Sequence, residues 1–193
     1  MAGLTGAQVA QRILSAHGIR DVEVVPIEGE MTDHYDPIHK RLALSEPVYG
    51  STSISAQGVA AHECGHALQH AVAYKPLHWR MAAVGITNFA SSGVFFLMIV
   101  GMFIAPKLSL MVAAILFGII MMFNLITLPV EFDASRRAKL VLGQLGITRT
   151  MDEANGVSSV LNSAALTYVA AFVSSLATFL YYLVPLVTGR EES

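Results

Sequence analysis

The sequence predicts a mainly α-helical integral membrane protein, with three transmembrane helices and a small α+β lobe on the cytoplasmic side. Three observations carry this reading. Of the 193 residues, 54% are hydrophobic and only 13% charged, where a soluble domain carries about a quarter charged. The apolar surplus is gathered into three runs, 82–104, 108–128 and 164–187, free of Lys, Arg, Asp and Glu. Each is long enough as a helix to cross about 30 Å of hydrocarbon. The cations are also one-sided. Arg12, Arg20, Lys40, Arg41, Lys75, Arg80, Arg136, Arg137, Lys139 and Arg149 fall before residue 82 or in the 129–163 connection, against Lys107 and Arg190 elsewhere. The positive-inside rule makes the first side cytoplasmic.

The same numbers exclude some classes. A net charge of −2 argues against a nucleic-acid partner held through phosphates. The single cysteine, Cys64, leaves no intramolecular disulfide and fits a reducing compartment. No ionisable residue interrupts the three spans, which argues against a transporter. No cleavable signal peptide is expected, because the first twenty residues lack a long apolar core.

Three regions follow in order: a lobe over 1–52, a metal-binding helix and link over 53–80, and a membrane region over 81–193 with a cytoplasmic helical insert at 129–163. Thr5-Gly6-Ala7-Gln8 reads as a capping box opening a short amphipathic helix, with Gly18 past its end. Val22-Glu23-Val24-Val25 reads as a strand stopped by Pro26. Residues 31–36 and 40–44 form a hairpin about Asp36-Pro37-Ile38-His39, with Asp and Pro where a type I turn wants them. Ser51, Thr52 and Ser53 offer caps for a helix reaching about Tyr74, ended by Pro76. Pro106-Lys107 turns the chain between the first two spans. Pro129 closes the second and opens the insert helix, which reaches about Leu145 with Gly146 as its cap. Thr150-Met151-Asp152-Glu153 is a second capping box, and its helix leads towards the third span.

Chemistry concentrates in His62-Glu63-Cys64-Gly65-His66. Positions i and i+4 share one helix face, so both imidazoles can reach one metal ion, with Glu63 beside its open position. A hydrolytic zinc wants that combination. Cys64 lies about 200° around the helix from His62 and reads as a buried packing residue. A third protein ligand is needed. His70 lies about 12 Å along the axis from His62, too far to share its ion, and the third-histidine spacing of metzincins falls on Val72. Glu131 and Asp133, at the cytoplasmic end of the second span, are the candidates. Their bland alternatives are pairing with Arg136 or Arg137, or favouring a helix N-terminus.

Several blocks in one order resemble a known family. They are Leu4-Thr5-Gly6, Thr32 to Pro37, Ala60-Ala61-His62-Glu63, Gly65 to Gln69, Leu128 to Ser135, and Leu161 to Tyr168. Together the chain resembles, almost end to end, the YugP-like bacterial membrane-embedded neutral zinc metallopeptidases. The resemblance implies a zincin-like lobe, a location in the bacterial inner membrane, and a gluzincin-like site in which His62, His66 and Glu131 hold one zinc per chain. Family members usually start with a further membrane segment, ahead of the point where this chain begins. Related gluzincins place an aspartate four residues after the ligand glutamate. Here that position is Ser135, and the acid is Asp133, expected either beside a ligand imidazole or as an alternative ligand.

The expected reaction is metal-assisted peptide hydrolysis. Glu63 takes the water proton and passes it to the leaving amine. His34, Tyr35, Arg136 and Arg137 are the candidates for steadying the oxyanion or touching substrate, each with a structural alternative as a turn residue or membrane-side anchor. Asn155, Asn162 and Tyr168 are further pocket candidates. A hairpin strand could pair with an extended peptide. The expected partners are a protein or peptide substrate and the lipid bilayer, with a second copy or a membrane-protein regulator also compatible. The rival reading is a membrane scaffold or regulator whose zinc is structural or catalytically silent.

Overall fold

The computed structural model describes residues 3–188, the side chains of 95–100, 102 and 106 excepted. The order of elements is α1 (Gly6–Ala16), β1 (Glu23–Ile27), β2 (His34–Asp36), β3 (Arg41–Ser45), α2 (Glu46–Tyr49), α3 (Ile54–Ala71), α4 (Lys75–Ile104), α5 (Pro106–Gln144) and α6 (Met151–Thr188). The chain is mostly helical, with one small sheet in the order β1-β3-β2.

Two compact units share the chain. One comprises residues up to Leu77 with Val130–Leu166, the other His78–Pro129 with the chain from Thr167 onward. In the first, α3 is the central helix. Its small residues Ala60, Ala61, Cys64 and Ala67 pack with Val9 and Ile13 of α1, Leu42 and Leu44 of β3, Leu142 of α5 and Leu161 of α6, all buried. Small side chains let neighbouring backbones come close. At Gly65 an added Cβ would lie 2.5 Å from the Ala134 carbonyl oxygen and 3.0 Å from its Cα, so α3 and α5 touch backbone to backbone there.

Local chemistry explains the ends. Thr5 and Gln8 form a reciprocal capping box on α1, and Ser53 caps α3 by accepting from the Ala56 N–H. Thr150 and Glu153 cap α6 in the same reciprocal way. The hairpin is held by Asp33, whose carboxylate accepts from the Ser45 N–H at 2.8 Å and from its hydroxyl at 3.0 Å. Its turn is held by Asp36, which accepts from the backbone of Ile38 and His39. The His39 ring beside Asp36 draws that carboxyl down to about 2.

All three prolines expected to stop an element are instead carried by one. β1 runs through Pro26, which pairs in parallel register with Leu44. This is tolerated because β1 is an edge strand, where a missing N–H can face outwards. Pro76 lies in the first turn of α4, where its N–H would be unused. α3 ends before it by backbone geometry. The Tyr74 N–H bonds to the Gln69 carbonyl and the Ala73 N–H to that of His70, a Schellman closure. It puts Ala73 at φ 51, a region that suits glycine. Ala73→Gly should therefore raise stability by about 1 kcal/mol, read as a higher Tm of the detergent-purified chain; a fall would contradict this closure. Pro129 sits inside the continuous α5 and removes one backbone bond, that to the Leu125 carbonyl. The α2 turn had no counterpart in the sequence reading.

The membrane spans also need correction. Two helices among the described residues, α5 and α6, are long and apolar enough to cross a membrane, and they contain the 108–128 and 164–187 runs. The third expected run, 82–104, falls in α4, where the side chains of 95–100 and 102 lie outside the described residues. Within that run side chains are described only for 82–94, 101, 103 and 104, fewer than the roughly 20 consecutive residues a span needs. In the second unit, the Asn124 amide of α5 donates to Ser175 Oγ of α6 at 3.0 Å, the kind of polar contact that links helices in lipid.

Candidate metal centre

Two i,i+4 pairs meet at the Gly65–Ala134 contact: His62 and His66 on α3, Glu131 and Ser135 on α5. His62 Nε2 lies 3.1 Å and His66 Nε2 3.7 Å from Glu131 Oε2. The donor atoms of these three residues lie within 4.8 Å of one another. The rings meet edge to face, with centroids 4.9 Å apart. Glu131 is 1% exposed, and Glu63 and His66 are buried too.

The other nitrogen of each ring is occupied. Ser135 Oγ lies 3.1 Å from His62 Nδ1, and Gln69 Oε1 lies 3.1 Å from His66 Nδ1. Both Nε2 atoms are thereby left on the Glu131 side. A tetrahedral zinc with bonds near 2.0–2.1 Å spaces its donors about 3.3 Å apart. The 3.1 and 3.7 Å separations bracket that spacing, and two imidazoles with a carboxylate suit this ion. The residues fit zinc.

Asp133 turns elsewhere. It is paired with Arg136 and with Arg137, the latter at 2.5 Å, and accepts from Gln69 Nε2 at 3.1 Å. It reaches His66 only through Gln69. Arg137 also lies over the Tyr74 ring, 5.8 Å from its centroid. Both arginines thus have their charge engaged by Asp133. His34 is exposed on β2, with Nδ1 2.7 Å from the Thr32 carbonyl. The Tyr35 hydroxyl lies 2.9 Å from His70 Nδ1, so β2 is tied to α3 one turn beyond His66. Burial, then the Asp21 and Asp36 carboxylates, push the Tyr35 phenol up to about 12, keeping its proton in place. Asn162 accepts from Lys139 Nζ at 2.7 Å, Asn155 is exposed, and Tyr168 falls in the second unit. Cys64 packs under α1, its sulfur 3.7 Å from the Ala10 carbonyl, and burial raises its thiol well above the usual range.

Gln69 and Ser135 are the site residues that the sequence reading passed over. Ser135 had a signal, since it stands four residues after Glu131. Gln69 had only its i+3 spacing from His66.

The chain is also similar to known proteins. A family model described as "Putative neutral zinc metallopeptidase" matches residues 1–187. The chain is 47% identical over 191 residues to the "Putative membrane protease YugP" of Bacillus subtilis (strain 168), covering 99% of this chain and 84% of that protein. No solved structure matches. With its two helical histidines facing a buried glutamate, and with that match running nearly end to end, the chain belongs to the neutral zinc metallopeptidase family.

Proposed function

We propose that this chain is a membrane-embedded zinc endopeptidase. The observation that carries the reading is the convergence of His62 Nε2 and His66 Nε2 on Glu131 Oε2, in a chain where a buried Glu63 directly follows His62. His62, His66 and Glu131 would hold one zinc. When bound, zinc supplies Lewis acidity, polarising a carbonyl oxygen and acidifying water. Glu63, one residue beyond His62, takes the proton of the attacking water and returns it to the departing amine. Tyr35 keeps a neutral O–H and reaches α3 at His70, which makes it the first choice of the early lobe for substrate or oxyanion contact. Arg136 and Arg137 hold Asp133 in place and favour the cytoplasmic side by charge, as do Lys75, Arg80 and Lys139. The active site therefore faces the cytoplasm, and because α3 and residues 131–135 of α5 share one unit the chain crosses out through the 82–104 run of α4 and back through α5, with α6 as the last span.

The test is a purified, lipid-reconstituted chain. It should contain about one zinc per chain, cleave an unfolded protein substrate, lose that activity to a zinc chelator and regain it with added zinc. Glu131→Ala should lose both zinc and activity. A full zinc complement with no cleavage would favour the scaffold or regulator reading. Zinc unaffected by Glu131→Ala would move the third ligand elsewhere.

A further inference from the structure

Gln69 is fully buried, and its contacts leave its amide a single orientation. Nε2 lies 2.7 Å from the Val130 carbonyl oxygen and 3.1 Å from Asp133 Oδ2. A carbonyl can only accept, so the NH2 group must face Val130. The carboxylate clasped by Arg136 and Arg137 agrees with that assignment. Oε1 is thereby turned to His66 Nδ1, 3.1 Å away. An amide oxygen also only accepts, so His66 carries its proton on Nδ1. A bare lone pair on Nε2 then looks towards Glu131 Oε2, 3.7 Å away. Val130 precedes Glu131, so the side chain that orients His66 also pins the backbone presenting Glu131. His62 has no such lock: its Nδ1 meets the Ser135 hydroxyl, which can donate or accept.

We propose that Gln69 is a positioning residue: it selects Nε2 as the donor atom of His66 and couples that ring to Glu131, so that α3 and α5 present their ligands as one prearranged set. This rests on the zinc reading above. Groups that orient a ligand imidazole contribute roughly 10–100-fold in metal affinity.

The experiment uses the full chain purified in detergent. Zinc affinity is measured by competition with a chromophoric chelator, and the ligand field by the visible spectrum of the cobalt(II)-loaded protein. Gln69→Leu and Gln69→Met, close to glutamine in volume but without its polar atoms, should each bind zinc roughly 10–100-fold more weakly and shift the cobalt bands. Ser135→Ala should lose less. A purely structural role predicts a lower melting temperature of the metal-free protein with zinc affinity and cobalt spectrum unchanged, and that result overturns the proposal. If Gln69→Leu does not fold, Gln69→Met decides. Wild-type protein that binds no zinc would overturn the metal-centre reading itself, whereas normal zinc in the wild type and in a folded Gln69 variant alike sinks only the role of Gln69.

Discussion

Replacing Glu63 with glutamine is expected to leave zinc content unchanged and to lower peptide hydrolysis by about 10²–10⁴-fold. The substitution keeps side-chain volume and removes only the ability to take a proton. Glu63 is 8% exposed, so a neutral amide in its place carries no larger burial penalty than the carboxylate. It is not among the three residues whose donor atoms converge, which is why metal should be retained. Because a base acts in the transition state, the loss should fall on kcat, with KM nearly unchanged. The check is steady-state cleavage by wild type and variant at matched zinc content. Turnover within a few-fold of wild type would remove Glu63 from the reaction.

Gly65→Ala should damage both the stability of the chain and its metal centre. The new methyl would meet the Ala134 carbonyl oxygen at 2.5 Å and its carbonyl carbon and Cα at 3.0 Å. These are backbone atoms of a buried helix and cannot swing aside as a side-chain tip would. α3 and α5 must separate by several tenths of an ångström, and overpacking of this kind costs about 1–3 kcal/mol. The same separation pulls Glu131 from the two histidines, across gaps now 3.1 and 3.7 Å. Stability and zinc affinity should therefore fall together, in contrast to Glu63→Gln, where both are kept. Thermal melting with and without zinc separates the two effects. A Gly65→Ala protein with wild-type zinc affinity would show that the backbone contact does not set the site.

The parts of this molecule legible in the sequence are those with local causes. The α1 helix follows from its capping box and from Val9, Ala10, Ile13 and Leu14 on one face, all buried. α3 follows from Ser53 and from the i,i+4 histidines. The hairpin follows from Asp36 and Pro37, whose turn closes onto an antiparallel β2–β3 pair. Pro26 and Pro76 misled for one reason: whether a missing N–H stops an element depends on whether that N–H had a partner to lose, which edge position and helix start decide. Pro129 does forfeit a bond, and α5 continues through it. The site divides in the same way. Spacing brought out His62, Glu63 and His66 but left Glu131 and Asp133 level. What separates them is tertiary: Arg136, Arg137 and Gln69 converge on Asp133, while Glu131 faces the histidines. Gln69 acquires its place only when Val130 is brought across from α5, 61 residues away.

X-ray absorption at the zinc edge of the purified protein addresses the central claim most directly. His62, His66 and Glu131 as ligands predict one zinc with two imidazole nitrogens at about 2.0–2.1 Å and the rest of its shell oxygen, one of them exchangeable water. Glu131→Ala should abolish that spectrum. A sulfur scatterer near 2.3 Å, which would bring in Cys64, or a closed shell of four protein ligands would contradict the account.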